Sequence, residues 1–151
     1  MPRTVKANNW AFEGKEVRSL SDMPKNVLGF VYRLTNHTTG MYYVGRKTVA
    51  GNKKKKLTAA EKKMSGNERK TFKYEYHESS GWKNYVGSNL VLKAEAKLGH
   101  HITKEILTYC FTKAQLTLEE TREIICGGAL EDCNSYNGWI SCKIYKQHLL
   151  K

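Results

Sequence analysis

Residues 29–45 read GFVYRLTNHTTGMYYVG, and the fold turns on how this stretch is interpreted. VLGFVYRLTN, from residue 27, is β-branched and aromatic and alternates in the manner of a strand. HTTG supplies turn residues, and MYYVGRK resumes the strand pattern. Together they predict a β-hairpin. Tyr32 and Tyr43, eleven positions apart in the chain, are thereby brought close in space.

Working outward, residues 50–75 form a basic insertion, AGNKKKKLTAAEKKMSGNERKTFKYE. Within it LTAAEKKM predicts a short helix, with Thr58 as N-cap and Glu61 three residues on as a capping box. The lysine run has two compatible readings, a solvated mobile loop and a loop that tracks phosphates. A second Tyr-x-Gly, Tyr85 to Gly87, precedes Ser88 or Asn89 as the cap of a helix that ends near Gly99. HITKEILTYC is a third strand. Thr112 caps a helix in which Leu116, Glu120 and Ile124 share one face, and Gly127 and Gly128 end it. Residues 1–26 read as an N-terminal arm that wraps the domain or DNA, with Trp10 and Phe12 as anchors. The expected architecture is α+β: a small three-stranded, mainly antiparallel sheet flanked by helices, in one domain over residues 27–151. Trp82 and Trp139 are expected in the core rather than as base-stacking residues.

Composition narrows the partners. The 151 residues carry 26 Lys plus Arg against 14 Asp plus Glu, a net charge of +12. The sequence pI is about 9.6. Such a chain suits a polyanion, with nucleic acid as the leading candidate. No apolar run approaches the roughly 20 residues of a membrane span, and the N-terminus MPRTVKANNW has no apolar segment of a secretory signal, so a cytoplasmic location is expected. Cys110, Cys126, Cys133 and Cys142 include no C-x-x-C pair and read as free thiols.

The order of hairpin, basic insertion, helix, strand, helix and Asn-rich turn resembles the GIY-YIG nucleases, and phage-encoded homing-type members in particular. Phe30-Val31-Tyr32, preceded by Gly29, stands for the first tripeptide of that signature and Tyr43-Val44-Gly45 for the second. NYVGSNLVLKAEAKLGHHITKEIL, the Glu120 to Ile124 spacing of LTLEETREI, and the Tyr-Asn pair in SYNGWISCKI extend the likeness over residues 28–144. One departure stands out. Many members carry an arginine on a helix soon after the second tripeptide, whereas this chain has its lysine-rich insertion there, leaving Arg46 and Lys47 as the nearest cations.

The resemblance implies DNA as partner and phosphodiester hydrolysis as activity, with Mg²⁺ as cofactor and Mn²⁺ as a substitute. It makes Tyr32 a general base or a relay to one. A free phenol, with its pKa near 10, needs adjacent positive charge to act near neutrality, which Arg46 and Lys47 are expected to supply. Tyr43 positions water or phosphate, Gly45 leaves room for phosphate, Glu120 holds the metal and Asn137 braces the site. Expected DNA contacts are Lys53, Lys54, Lys55, Lys56, Arg69, Lys73, Tyr85 and Ser88. The biological setting it suggests is a free-standing homing endonuclease, monomer or dimer, in the cytoplasm of an infected bacterial host. A restriction-like or host-DNA-degrading nuclease and a non-cleaving DNA-binding protein remain the alternatives.

Overall fold

The computed structural model describes residues 9–67 and 69–150. The chain forms strands β1 (Trp10–Phe12), β2 (Lys15–Val17), β3 (Gly29–Asn36), β4 (Tyr42–Thr48) and β5 (Ala50–Lys56), then helix α1 (Ala59–Met64) and β6 (Phe72–Glu78). Helix α2 (Leu90–Lys97), β7 (Ile102–Cys110) and α3 (Lys113–Cys126) complete the main elements.

The expected hairpin is β3–β4, antiparallel, with Tyr32 opposite Gly45 and Leu34 opposite Tyr43. The third strand, β7, flanks β3 on its other side. β3 is therefore central and covered on both faces, so its apolar residues run on rather than strictly alternating. Phe30, Tyr32 and Leu34 face a core with Trp10, Trp82, Leu92 and Ile106. Val31 faces the opposite side, with Tyr42, Val44, Leu116 and Ile124. Helix α3 covers that second face through Leu116 and Ile124, starting from the Thr112 cap whose hydroxyl accepts from Gln115 N–H.

The sheet has five strands, in the order β2-β1-β7-β3-β4, not the three expected from the sequence. The additional strands come from the segment read as an arm. β1 pairs parallel with β7, and β2 returns antiparallel beside β1. Two three-residue strands are too short to display a period, and their signal is instead the turn between them. Glu13 and Gly14 both have positive φ, 48° and 77°, as a two-residue hairpin of the right twist requires. Trp10 is 1% exposed and its indole N–H donates to Trp82 O at 2.8 Å. Residues 1–8, also assigned to the arm, lie outside the described residues.

The basic insertion is an antiparallel ribbon of β5 and β6, with α1 at its far end and the predicted Thr58–Glu61 capping box in place. A loop reading of the lysine run is thus replaced by a strand one. Four consecutive lysines show no apolar alternation, so the pattern that identifies strands is absent from β5.

Candidate active site

β4 is an edge strand, and the side chains gathered around its edge enclose a cleft of about 780 Å³. Tyr32, Tyr43, Arg46, Ser88, Glu120 and Asn137 all line it. They come from β3, β4, the loop before α2, α3 and the Asn-rich turn, which are dispersed along the chain.

Tyr32 reaches this edge because of Gly45. A Cβ placed on Gly45 would lie 2.5 Å from the Tyr32 hydroxyl oxygen and 2.9 Å from the Tyr43 ring. The space expected to serve a phosphate is therefore filled by the two tyrosines. Gly87, in the second Tyr-x-Gly, plays a related part: it has φ +85°, and a Cβ there would meet Leu34 at 3.0 Å and Tyr32 OH at 3.6 Å. Tyr85 packs edge-on to Tyr32, ring centroids 5.9 Å apart, and the Tyr43 and Ser88 hydroxyls are hydrogen-bonded at 3.0 Å. The doubled Tyr-x-Gly thus builds one cluster of three phenols. The register of β3 on β7 shifts between Val31 and Tyr32, the kind of irregularity that re-aims a side chain.

The electrostatics of Tyr32 differ from the sequence expectation. Burial raises its phenol far above the ordinary value, and Tyr85, Tyr43 and Glu120 push the same way. Arg46 does not lower it, because its Nε pairs with Glu120 Oε2 at 3.4 Å and its Nη1 donates to Thr117 Oγ1. Lys47 is outside the cleft lining, with its ammonium 4.3 Å from the centroid of the Tyr85 ring. Tyr32 is accordingly a neutral hydroxyl in this arrangement, suited to hydrogen bonding and relay.

Glu120 has the inward position expected from its spacing, with a side chain 20% exposed. Burial raises its carboxyl pKa, and Arg46 opposes the rise. Glu119, its neighbour, pairs instead with Arg122. Among the described residues no group of three or more His, Cys, Asp or Glu is gathered to hold a metal. That donor set does not suit tetrahedral zinc. A single carboxylate beside an open, polar cleft does fit a hard ion that keeps most of its waters and takes its other oxygens from substrate phosphate.

Asn137 braces the backbone. Val44 N–H donates to its Oδ1 at 2.9 Å, and its Nδ2 donates to Val44 O at 2.7 Å. These are the groups an edge strand leaves unpaired, so the amide acts as one residue of a missing partner strand. The turn adds to this: Tyr42 N–H donates to Asn134 O and Tyr136 N–H to Tyr42 O. Asn137 therefore braces β4, the strand that carries Tyr43.

The expected DNA contacts divide in two. Tyr85 and Ser88 adjoin the cleft cluster. Lys53, Lys54, Lys55, Lys56 and Lys73 are on the β5–β6 ribbon, and Arg69 is in the turn that leads into β6. One residue was misjudged: Trp139, expected in the core, is 76% exposed and lines the cleft, whereas Trp82 is 1% exposed. The signal available for Trp139 was its position in NGWIS, a turn-rich segment unlike the strand that buries Trp10. No helix among the described residues is long and apolar enough to cross a membrane.

The family model of the segE endonuclease GIY-YIG domain matches residues 10–140, a span that begins at β1 and takes in every cleft residue from Tyr32 to Ile140. No curated protein and no solved structure matches the chain. A family model that spans residues 10–140 of the 151 shows that the chain belongs to the GIY-YIG nucleases, enzymes that hydrolyse phosphodiester bonds.

Proposed function

We propose that the protein is a Mg²⁺-dependent DNA endonuclease, with the cleft as its catalytic centre. The observation that carries this reading is the convergence of Tyr32, Tyr43, Arg46 and Glu120 on one cleft. Hydrolysis of a phosphodiester gathers negative charge on the phosphoryl oxygens and on the leaving oxygen, and fixed cations and donors must meet that charge. Arg46 is the cation at hand. It takes the part that relatives assign to a helical arginine and turns from Glu120 to a phosphoryl oxygen when DNA is bound. Glu120 would hold Mg²⁺, with Mn²⁺ as a substitute, and the ion would supply charge neutralisation and an activated water.

Geometry supports the following roles for the other residues. Tyr32, buried and un-ionised, orients the attacking water and passes its proton on to solvent in the open cleft as its own hydroxyl proton is replaced. Tyr43 holds water or phosphate through a hydroxyl already fixed by Ser88. Lys47 sits over the Tyr85 ring and biases the phenol cluster from one ring away. Asn137 keeps β4 in register with the cleft. DNA is held by the ribbon lysines, Arg69, Tyr85 and Ser88. A free-standing homing enzyme in an infected bacterial cell is the proposed setting, acting as monomer or dimer.

Incubation of the purified protein with supercoiled plasmid tests this. Mg²⁺ should yield nicked or linear DNA, chelation should stop it, and Glu120→Gln should remove cleavage by on the order of 10³-fold while the protein still binds DNA. Normal cleavage by Glu120→Gln, with Glu119→Gln or Glu123→Gln inactive, would put the metal on a different turn of α3.

A further inference from the structure

The β5–β6 ribbon has two unlike faces. Residues directly opposite in an antiparallel pair share a face, so Lys54 with Tyr74 and Lys56 with Phe72 lie on one side, together with Asn52 and Tyr76. Lys53 with Glu75 and Lys55 with Lys73 lie on the other.

This second face is largely ion-paired. Lys73 pairs with Glu61 of α1 and, at 3.0 Å, with Glu75, and Lys55 pairs with Glu75 at 3.5 Å. The Glu61 contact ties α1 to this side of the ribbon. The first face is open. Tyr74 is 66% exposed and Phe72 38%, with the Lys54 ammonium 3.5 Å from the centroid of the Phe72 ring. Its one carboxylate, Glu78 at the ribbon base, accepts from the Trp82 indole. Tyr76, also near the base, donates its hydroxyl to Val27 O and ties this face to the body of the domain.

We propose that this open face, Lys54, Lys56, Phe72 and Tyr74, docks duplex DNA in the major groove beside the cleft. The assignment rests on the nuclease reading for its substrate. Charge selects the occupant: among the described residues Lys54 and Lys56 have no carboxylate partner, and with the exposed rings beside them they suit a phosphate-walled groove. Shape favours the major groove, which at about 12 Å admits a two-stranded ribbon without deformation, over a minor groove of about 6 Å. The ribbon starts near the cut. Ala50 follows Arg46 by four residues, so the ribbon base lies within about 14 Å of the Arg46 backbone. Seven residues of β5 extend about 24 Å, roughly two-thirds of a DNA helical turn. The face therefore grips the duplex to one side of the scissile phosphate, with Lys54 and Lys56 on phosphates and the Tyr74 hydroxyl donating to one.

The test compares two charge-matched pairs in the full-length protein, on a duplex oligonucleotide with metal chelated so that nothing is cut. Lys54→Gln with Lys56→Gln should flatten the slope of log K against log salt by about 1.8, at about 0.9 per phosphate contact. Lys53→Gln with Lys55→Gln should change it by less than half as much. Tyr74→Phe, which keeps the ring, should weaken binding roughly fivefold, as expected for loss of one hydrogen bond. A major-groove ligand should displace the protein and a minor-groove ligand should not. Equal effects from the two lysine pairs would overturn the assignment, leaving bulk charge as the attraction. So would tighter binding to single strands than to duplex, or displacement by the minor-groove ligand alone. Wild-type protein that cuts plasmid while the open-face variants bind normally would sink this inference and leave the nuclease reading standing. Protein that binds through the open face but never cuts would do the reverse. Unchanged melting temperatures keep folding out of the comparison, since these lysines are exposed.

Discussion

Strand β4 carries the cleft along its edge, and the ribbon begins two residues beyond its end, yet the two are built in opposite ways. In the cleft the groups named for chemistry are anchored: Glu120 by Arg46, Arg46 by Thr117, Tyr43 by Ser88, and the strand itself by Asn137. The ribbon's open face is solvent-exposed, and among the described residues its lysines have no carboxylate to hold them. Chemistry on a phosphate requires donors fixed within a fraction of an ångström. Attraction of a polyanion requires only charge in the right region, and mobile side chains serve it well. Substitutions in the cleft should therefore change rate and local structure, and substitutions on the ribbon should change binding and salt dependence.

After the loss expected for Glu120→Gln, the largest effect that would break this division is at Tyr32. Tyr32→Phe should reduce single-turnover cleavage by on the order of 10²-fold, because only the hydroxyl can relay a proton. Tyr42→Phe should leave the rate within a few-fold, because the Tyr42 hydroxyl bonds Asp132 on the other face of the sheet. Equal losses would mean that the hairpin contributes packing alone.

Next is Gly45→Ala. The added methyl would collide with the Tyr32 hydroxyl, so the ring must move or the strands separate, at a cost of about 1–3 kcal/mol in chemical denaturation. Cleavage should fall even under conditions where the variant is folded. Asn137→Ala leaves both Val44 backbone groups to water or without partners. It should destabilise by about 1–2 kcal/mol and lower the rate without altering the salt dependence of binding. A changed salt slope in either variant would blur the cleft–ribbon distinction.

The effect most remote from cleavage concerns the core. Burial pushes the Lys104 ammonium down to about 8 from an ordinary 10.5, while its Nζ donates to Lys83 O at 2.7 Å. Between those two values the unfolded chain binds more protons than the folded one, so stability from this group rises with pH across that window. Lys104→Met should remove the rise, measured as the difference in unfolding free energy between pH 8 and pH 10.

Much of this was legible in the sequence because the signals were local. Strands β3, β4 and β7 are long enough to show their pattern, and α3 announces itself with Thr112, the spacing of Leu116, Glu120 and Ile124, and two glycines. What escaped depended on distant partners. Trp10–Phe12 becomes a strand only by pairing with β7, some ninety residues away in sequence. The Arg46–Glu120 pair, which determines where the cation's charge goes, joins β4 to α3. Gly45 is explained by the ring of a residue across the hairpin, so its sequence context suggested phosphate room instead. Asn137 was picked out, but its partner Val44 was not, because a side chain replacing a strand leaves no periodic trace. The β5 lysines concealed a strand, since charge on both faces erases alternation.

The most direct test measures two quantities on one duplex substrate for two variants: the single-turnover rate at saturating DNA with Mg²⁺, and the dissociation constant in chelator as a function of salt. Glu120→Gln should lose the rate by on the order of 10³-fold and keep both the affinity and its salt slope. Lys54→Gln with Lys56→Gln should keep the saturated rate within about twofold and flatten the salt slope by about 1.8. Loss of rate and of salt slope together in either variant would contradict the account, because cutting and holding would then belong to a single surface.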